Sequence, residues 1–69
     1  MKGILKYNDY DKKCVFGILA SNNVKILKSS YQTVVIEIRN YEDLNKILAK
    51  LNNVTSYGVS VKKVRKPFF

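Results

Sequence analysis

Four cations crowd the last strand-like stretch of this 69-residue chain: Lys62, Lys63, Arg65 and Lys66 in "VKKVRKPFF". Ammonium groups at this density neutralise phosphates or dock on acidic surfaces. Lys2, Lys6, Lys25 and Lys28 fall in other strand-like segments and can add to the same field. Lysine and arginine total 13 against 5 acids, a formal net charge of +8. The balance narrows the partner class to nucleic acid, an acidic protein surface or anionic lipid. Arginine occurs only at Arg39 and Arg65. Lysine contacts phosphate as a point charge, without arginine's bidentate reading of bases. Binding of this kind is salt-sensitive and weakly sequence-specific.

Other chemistries are poorly supplied. The chain has no histidine, so the commonest general base at neutral pH is missing. Its carboxylates are Asp9, Asp11, Glu37, Glu42 and Asp43. Four of them precede or open helix-like segments, where capping and the helix dipole account for them. Glu37 and Arg39 share the outer side of a strand, the arrangement of a cross-strand ion pair. Cys14 is the single cysteine, so no disulfide forms within one chain and no zinc site of His and Cys ligands exists. It sits beside Val15 and Ile18 and reads as a small buried hydrophobe. Gly3, Gly17 and Gly58 make no phosphate-binding loop. A non-enzymatic protein without cofactor or metal is expected.

The elements that position these residues follow from periodicity. Tyr41, Leu44, Ile47, Leu48 and Leu51 repeat at helical spacing behind Asn40, a good N-cap. Asp43 gives that start the look of a capping box, and Glu42 and Lys46 are at the i, i+4 spacing. A less regular helix carries Cys14, Val15, Ile18 and Leu19, capped by Asp9 or Asp11. Gly17 interrupts it and suggests close packing on the sheet. "ILASNNV" and "ILAKLNNV" echo each other about 29 residues apart, near the length of one β-α-β unit. Asn22-Asn23 and Asn52-Asn53 read as helix C-caps.

"QTVVIEIR" alternates, with Val34, Ile36 and Ile38 on one face. "VKILKSS" is its hairpin partner across a turn at Ser29–Gln32. "KGILKYN" is the first strand and "YGVSVKKVR" the last, with Val64 out of phase after a bulge at Lys62-Lys63. The order β-α-β-β-α-β predicts an α+β, ferredoxin-like sandwich: a four-stranded antiparallel sheet with two helices on one face. Residues 1–66 form one domain and 67–69 a short tail. The last strand is expected at an edge, guarded by its lysines and stopped by Pro67. The other sheet face has no helix to cover it.

From Lys13 to Val64 the chain resembles an ACT domain. "ILASNNVKIL", "TVVIEIRNYEDLNKILAKLNNV" and "GVSVKKVRK" carry the likeness. The resemblance implies pairing of subunits into a homodimer. It does not extend to the effector-binding turn, which here reads "NDYDKKCVFG", with no proline and no glycine before Gly17.

Three functions stand as expectations. The first is a small binding module for nucleic acid, or for a nucleic-acid-handling protein, using Lys2, Lys6, Lys25, Lys28, Lys62, Lys63, Arg65 and Lys66. The second is a homodimeric ACT-like regulatory module. The third is a small protein inhibitor or adaptor from a mobile element. Phe68 and Phe69 are not explained by edge protection and suggest partner docking, with Tyr7 a further candidate. No apolar run reaches the roughly 20 residues of a membrane span, and nothing at Met1–Tyr10 reads as a signal peptide. A cytoplasmic location is expected.

Overall fold

The computed structural model describes residues 1–65, the last by its backbone alone. The elements are β1 (Lys2–Tyr7), a 3-10 turn (Asp9–Asp11), α1 (Lys12–Ser21), β2 (Ile26–Ser30), β3 (Thr33–Glu37), α2 (Tyr41–Val54) and β4 (Val59–Arg65). The four strands form one antiparallel sheet in the order β2-β3-β1-β4. Each end strand thus comes from a different half of the chain, the ferredoxin-like arrangement expected from the sequence. No described helix is long and apolar enough to cross a membrane.

Strict alternation places the core. Leu5 and Tyr7 of β1, Val34 and Ile36 of β3, and Ile38 just beyond it are buried on one side of the sheet. Val15 and Leu19 of α1 and Leu44 and Leu51 of α2 close over them, with Val59 of β4. Gly3 shares this side, and a side chain there would meet Ile38 and Leu44 at van der Waals distance. Tyr7 is 3% exposed and packs edge-to-face on Phe16, with ring centroids 6.0 Å apart. Its expected role in docking a partner is therefore overturned: period-two alternation turns Tyr7 inward with Leu5.

The second helix starts as its sequence indicates. Asn40 Oδ1 accepts the Asp43 N–H at 2.9 Å, and Lys46 meets Glu42 at 3.6 Å. Asp43 does not complete a reciprocal capping box, because its carboxylate accepts from Arg39 Nε at 2.8 Å. Arg39 is thereby drawn away from Glu37. Glu37 instead lies 3.5 Å from the N-terminal ammonium, so the expected Glu37–Arg39 pair is not formed.

The two asparagine pairs part company. Asn23 takes the left-handed conformation (φ 57°) that ends α1. Asn52 and Asn53 remain inside α2, which continues to Val54 with Thr55 as its C-cap. The first helix also begins differently. Asn8 caps the 3-10 turn through the Tyr10 N–H at 2.9 Å, and Asp11 makes no side-chain cap. Cys14 is exposed rather than buried. The intervening 3-10 turn sets the phase of α1, so that Val15 and Leu19 alone of its residues are fully buried.

Gly17 points into open space, with nothing within 4 Å of where a Cβ would stand. It does not serve close packing on the sheet. Gly17→Ala should therefore stabilise the fold by about 0.5–1 kcal/mol, since only helix propensity changes. Urea unfolding checks this, and a lower midpoint would refute an open Gly17.

Burial, and secondarily the negative charge of Asp9, raises the Tyr7 hydroxyl above the ordinary tyrosine pKa of 10.0. The folded state then holds this proton more tightly than the unfolded chain. Stability from this source is intact below pH 10 and is lost as pH rises through the higher folded value. Unfolding of wild type and Tyr7→Phe across alkaline pH should show a shallower decline in the variant. Parallel declines would count against a Tyr7 contribution.

Candidate nucleic-acid interface

The helix-free sheet face is built from the residues that alternate with the core. On β1 these are Lys2, Ile4 and Lys6. Register carries them to their neighbours: Ile4 lies opposite Val35 and Lys63, Lys6 opposite Thr33 and Ser60, and Lys2 opposite Glu37 and the backbone of Arg65. Lys28 and Ser30 of β2 sit opposite Val35 and Thr33 and join the same face. Half-buried Ile4 and Val35 form its centre, and Lys2, Lys6, Lys28 and Lys63 surround them.

A bulge makes this pattern possible. Leu5 pairs with Val61 while Ile4 pairs with Lys63, so Lys62 is the extra residue of β4. The strand shifts phase at that point. Val59, Val61 and Val64 consequently stay on the helix side, and Lys63 is returned to the open face. The out-of-phase valine in the sequence is the local cause. β4 is an edge strand, and Lys62 is exposed in its bulge.

The lysines of this face are left outside the ion pairs that the acids form. Glu42 and Asp43 pair with Lys46 and Arg39 on and beside α2. Glu37 is the acid of the helix-free face, and it meets the N-terminal ammonium. Among the described residues, Lys2, Lys6, Lys28 and Lys63 form no ion pair. The sheet holds their stems apart at fixed strand spacing, a geometry suited to successive phosphates of a polyanion.

The remaining candidates are dispersed. Lys25 precedes β2, where its carbonyl accepts the Glu37 N–H at 2.9 Å. The backbone of Arg65 pairs with Lys2 at the end of β4. Lys66, Phe68 and Phe69 lie outside the described residues, as does Pro67.

Aromatic residues missing from the sheet face are gathered at one end of it. Tyr10, Tyr31 and Tyr57 are 77%, 76% and 66% exposed. Tyr10 and Tyr57 meet edge-to-face with centroids 5.7 Å apart. Beside them an open groove of about 290 Å³ is lined by Lys6, Gln32, Tyr57 and Ser60, among others. Tyr31 precedes Gln32 in the β2–β3 turn, and the Gln32 carbonyl accepts the Tyr7 N–H at 3.0 Å. The turn is thereby tied to the end of β1.

Two side chains fix the Tyr57 loop. Asp11 is only 2% exposed, and its two oxygens accept the Ser56 and Tyr57 N–H groups at 3.0 and 2.9 Å. Asn52 accepts the Val59 N–H at 2.9 Å and donates to the Val59 carbonyl at 3.1 Å. It acts as a surrogate strand partner at the start of β4. Gly58 between them needs its positive φ of 80°, and a Cβ there would come within 3.0 Å of Asn52 Oδ1. Sequence spacing could not reveal Asp11 in this role, because its partners lie 45 and 46 residues away.

A second groove, of about 410 Å³, lies at the opposite end between the close of α1 and the start of α2. Its polar groups are largely satisfied by one another. Lys50 Nζ donates to Asn22 Oδ1 at 2.6 Å, and Arg39 is held by Asp43. Few convergent groups are left there to orient a small molecule.

No family model, curated protein or solved structure matches this chain.

Replacing Asp11 with alanine should strand two loop amides and cost about 3 kcal/mol. Amide hydrogen exchange should speed up first at Ser56 and Tyr57. Unchanged protection there would show that the carboxylate does not hold the loop.

Proposed function

We propose that the protein is a non-enzymatic binding module that grips nucleic acid through its helix-free sheet face. The observation that carries this reading is the set of Lys2, Lys6, Lys28 and Lys63, spread over three strands on one surface and, among the described residues, outside any ion pair. Lys62 and Lys25 extend the positive field along the two edges. Each lysine-phosphate contact releases counterions, and the binding is dominated by that sequence-independent term.

A polyanion fits this surface better than a second copy does. Ile4 and Val35 offer a small apolar centre, but a face-to-face dimer would bring the lysines of both subunits into one interface. Like charges at close range are costly when desolvated. The homodimeric ACT-like module is accordingly the weaker reading, and its support is the hydrophobic pattern of residues 13–64. An adaptor or inhibitor from a mobile element has no specific residue in its favour. An acidic protein that handles nucleic acid would use the same lysines and is an outcome the assay below can return.

Wild-type protein should bind a fluorescent oligonucleotide at low salt and weaken steeply as salt rises. Lys6→Ala and Lys63→Ala should each flatten the log affinity against log salt slope by about 0.7–0.9. Gly17→Ala, distant from the face, should leave the slope alone. Absence of oligonucleotide binding at low salt would eliminate the proposal and direct attention to an acidic protein partner.

A further inference from the structure

The sheet face accounts for phosphate contacts but presents no ring to a base: its centre is Ile4 and Val35, with Thr33 beside Lys6. The exposed rings are elsewhere, at the end of the sheet where β1 finishes. Tyr10 and Tyr57 stand there as an edge-to-face pair, both more than half exposed. Solvent-exposed tyrosines are normally free to reorient, yet these are mounted on anchored backbone. The Tyr57 N–H is held by buried Asp11, and the Tyr10 N–H by Asn8 Oδ1. Gly58 and the Asn52 clamp fix the following turn. Tyr57 also shares its groove with Lys6, the lysine at this end of the basic face. Open rings on anchored backbone, beside a cation that serves the phosphate track, are the two components of a single-strand platform: stacking for bases and charge for the backbone.

We infer that Tyr57 and Tyr10 form a base-stacking subsite at the end of the lysine face, so that the ligand is single-stranded rather than duplex nucleic acid. In a duplex, bases are already stacked on one another and cannot cover a tyrosine ring. In a single strand, a phosphate held at Lys6 leaves its neighbouring base free to turn into the groove and lie against Tyr57. Tyr31, in the turn tied to β1, is placed at the same end to extend the platform to a second base. Selectivity is for unpaired bases in general, because every base offers a π-face. This inference rests on the nucleic-acid reading above and adds the strandedness of the ligand to it.

The test compares three probes of equal charge on the intact chain: a single-stranded oligonucleotide, its abasic counterpart and a duplex of matched phosphate count. The normal single strand should bind the wild type about tenfold more tightly than the abasic strand. Tyr57→Ala should erase most of that difference while leaving abasic affinity unchanged, and Tyr57→Phe should retain it. The chain has no tryptophan, so tyrosine emission can be followed directly in the unmodified protein. Quenching by the normal strand but not by the abasic one supports stacking, even if an alanine variant fails to fold. Equal binding of all three probes, with Lys6→Ala weakening each, would overturn the stacking subsite and leave the phosphate reading standing. Failure of every probe to bind at low salt would remove both. Quenching that depends on protein concentration without any nucleic acid would overturn the inference in favour of a second copy at this end.

Discussion

The Asp11 carboxylate ties the turn before α1 to the loop between α2 and β4. It is a charged group taken almost wholly out of water, and it recovers its desolvation cost through two backbone N–H bonds. Those amides belong to the loop that delivers the chain from α2 into β4. Fixing that loop sets where β4 begins. Asn52 then aligns Val59, and the ladder with β1 follows from there. The position of Tyr57 follows directly from this contact. A loop without Asp11 would still have a hydrophobic strand to dock, but its entry point would be less defined.

A single hydrophobic layer has a direct consequence for function. Both helices are used on one side of the sheet, and no further element among the described residues covers the other. The uncovered side must be compatible with water, and lysines achieve that while their stems shield Ile4 and Val35. Among the described residues, the same lysines form no ion pair: Glu37, opposite Lys2 on this face, meets the N-terminal ammonium, Glu42 and Asp43 are occupied at α2, and Asp11 is committed to backbone. Solubility alone would be served equally well by a mixture of signs. The lysines of the sheet face that stand outside any ion pair are what the proposed polyanion would meet.

Much of the architecture was legible in the residues. The alternation of Val34, Ile36 and Ile38, the Asn40 cap and the stripe from Leu44 to Leu51 are short-range signals. Each reports a period or a local hydrogen bond, and each is observed as expected. The misread features share a different origin. Asp11 looks like a helix cap until a loop 45 residues away is brought to it. Asn52 repeats the sequence context of Asn22 but is recruited by Val59. Tyr7 resembles a surface aromatic between Lys6 and Asn8, although alternation carries it into the core. Cys14 looks buried beside Val15, although the 3-10 turn rotates it outward.

The sequence by itself determined the order of elements, the inward face of β3, the bulge at Lys62-Lys63 and the large positive charge. These follow from local periodicity and from composition, which do not depend on distant partners. Only the tertiary structure decided which lysines share a surface, because strand register, not sequence distance, sets Lys2, Lys6, Lys28 and Lys63 around Ile4 and Val35. It also decided that Tyr10 and Tyr57 meet. Their loops are separated by most of the chain, and a buried carboxylate that the sequence presents as a helix cap is what draws them together.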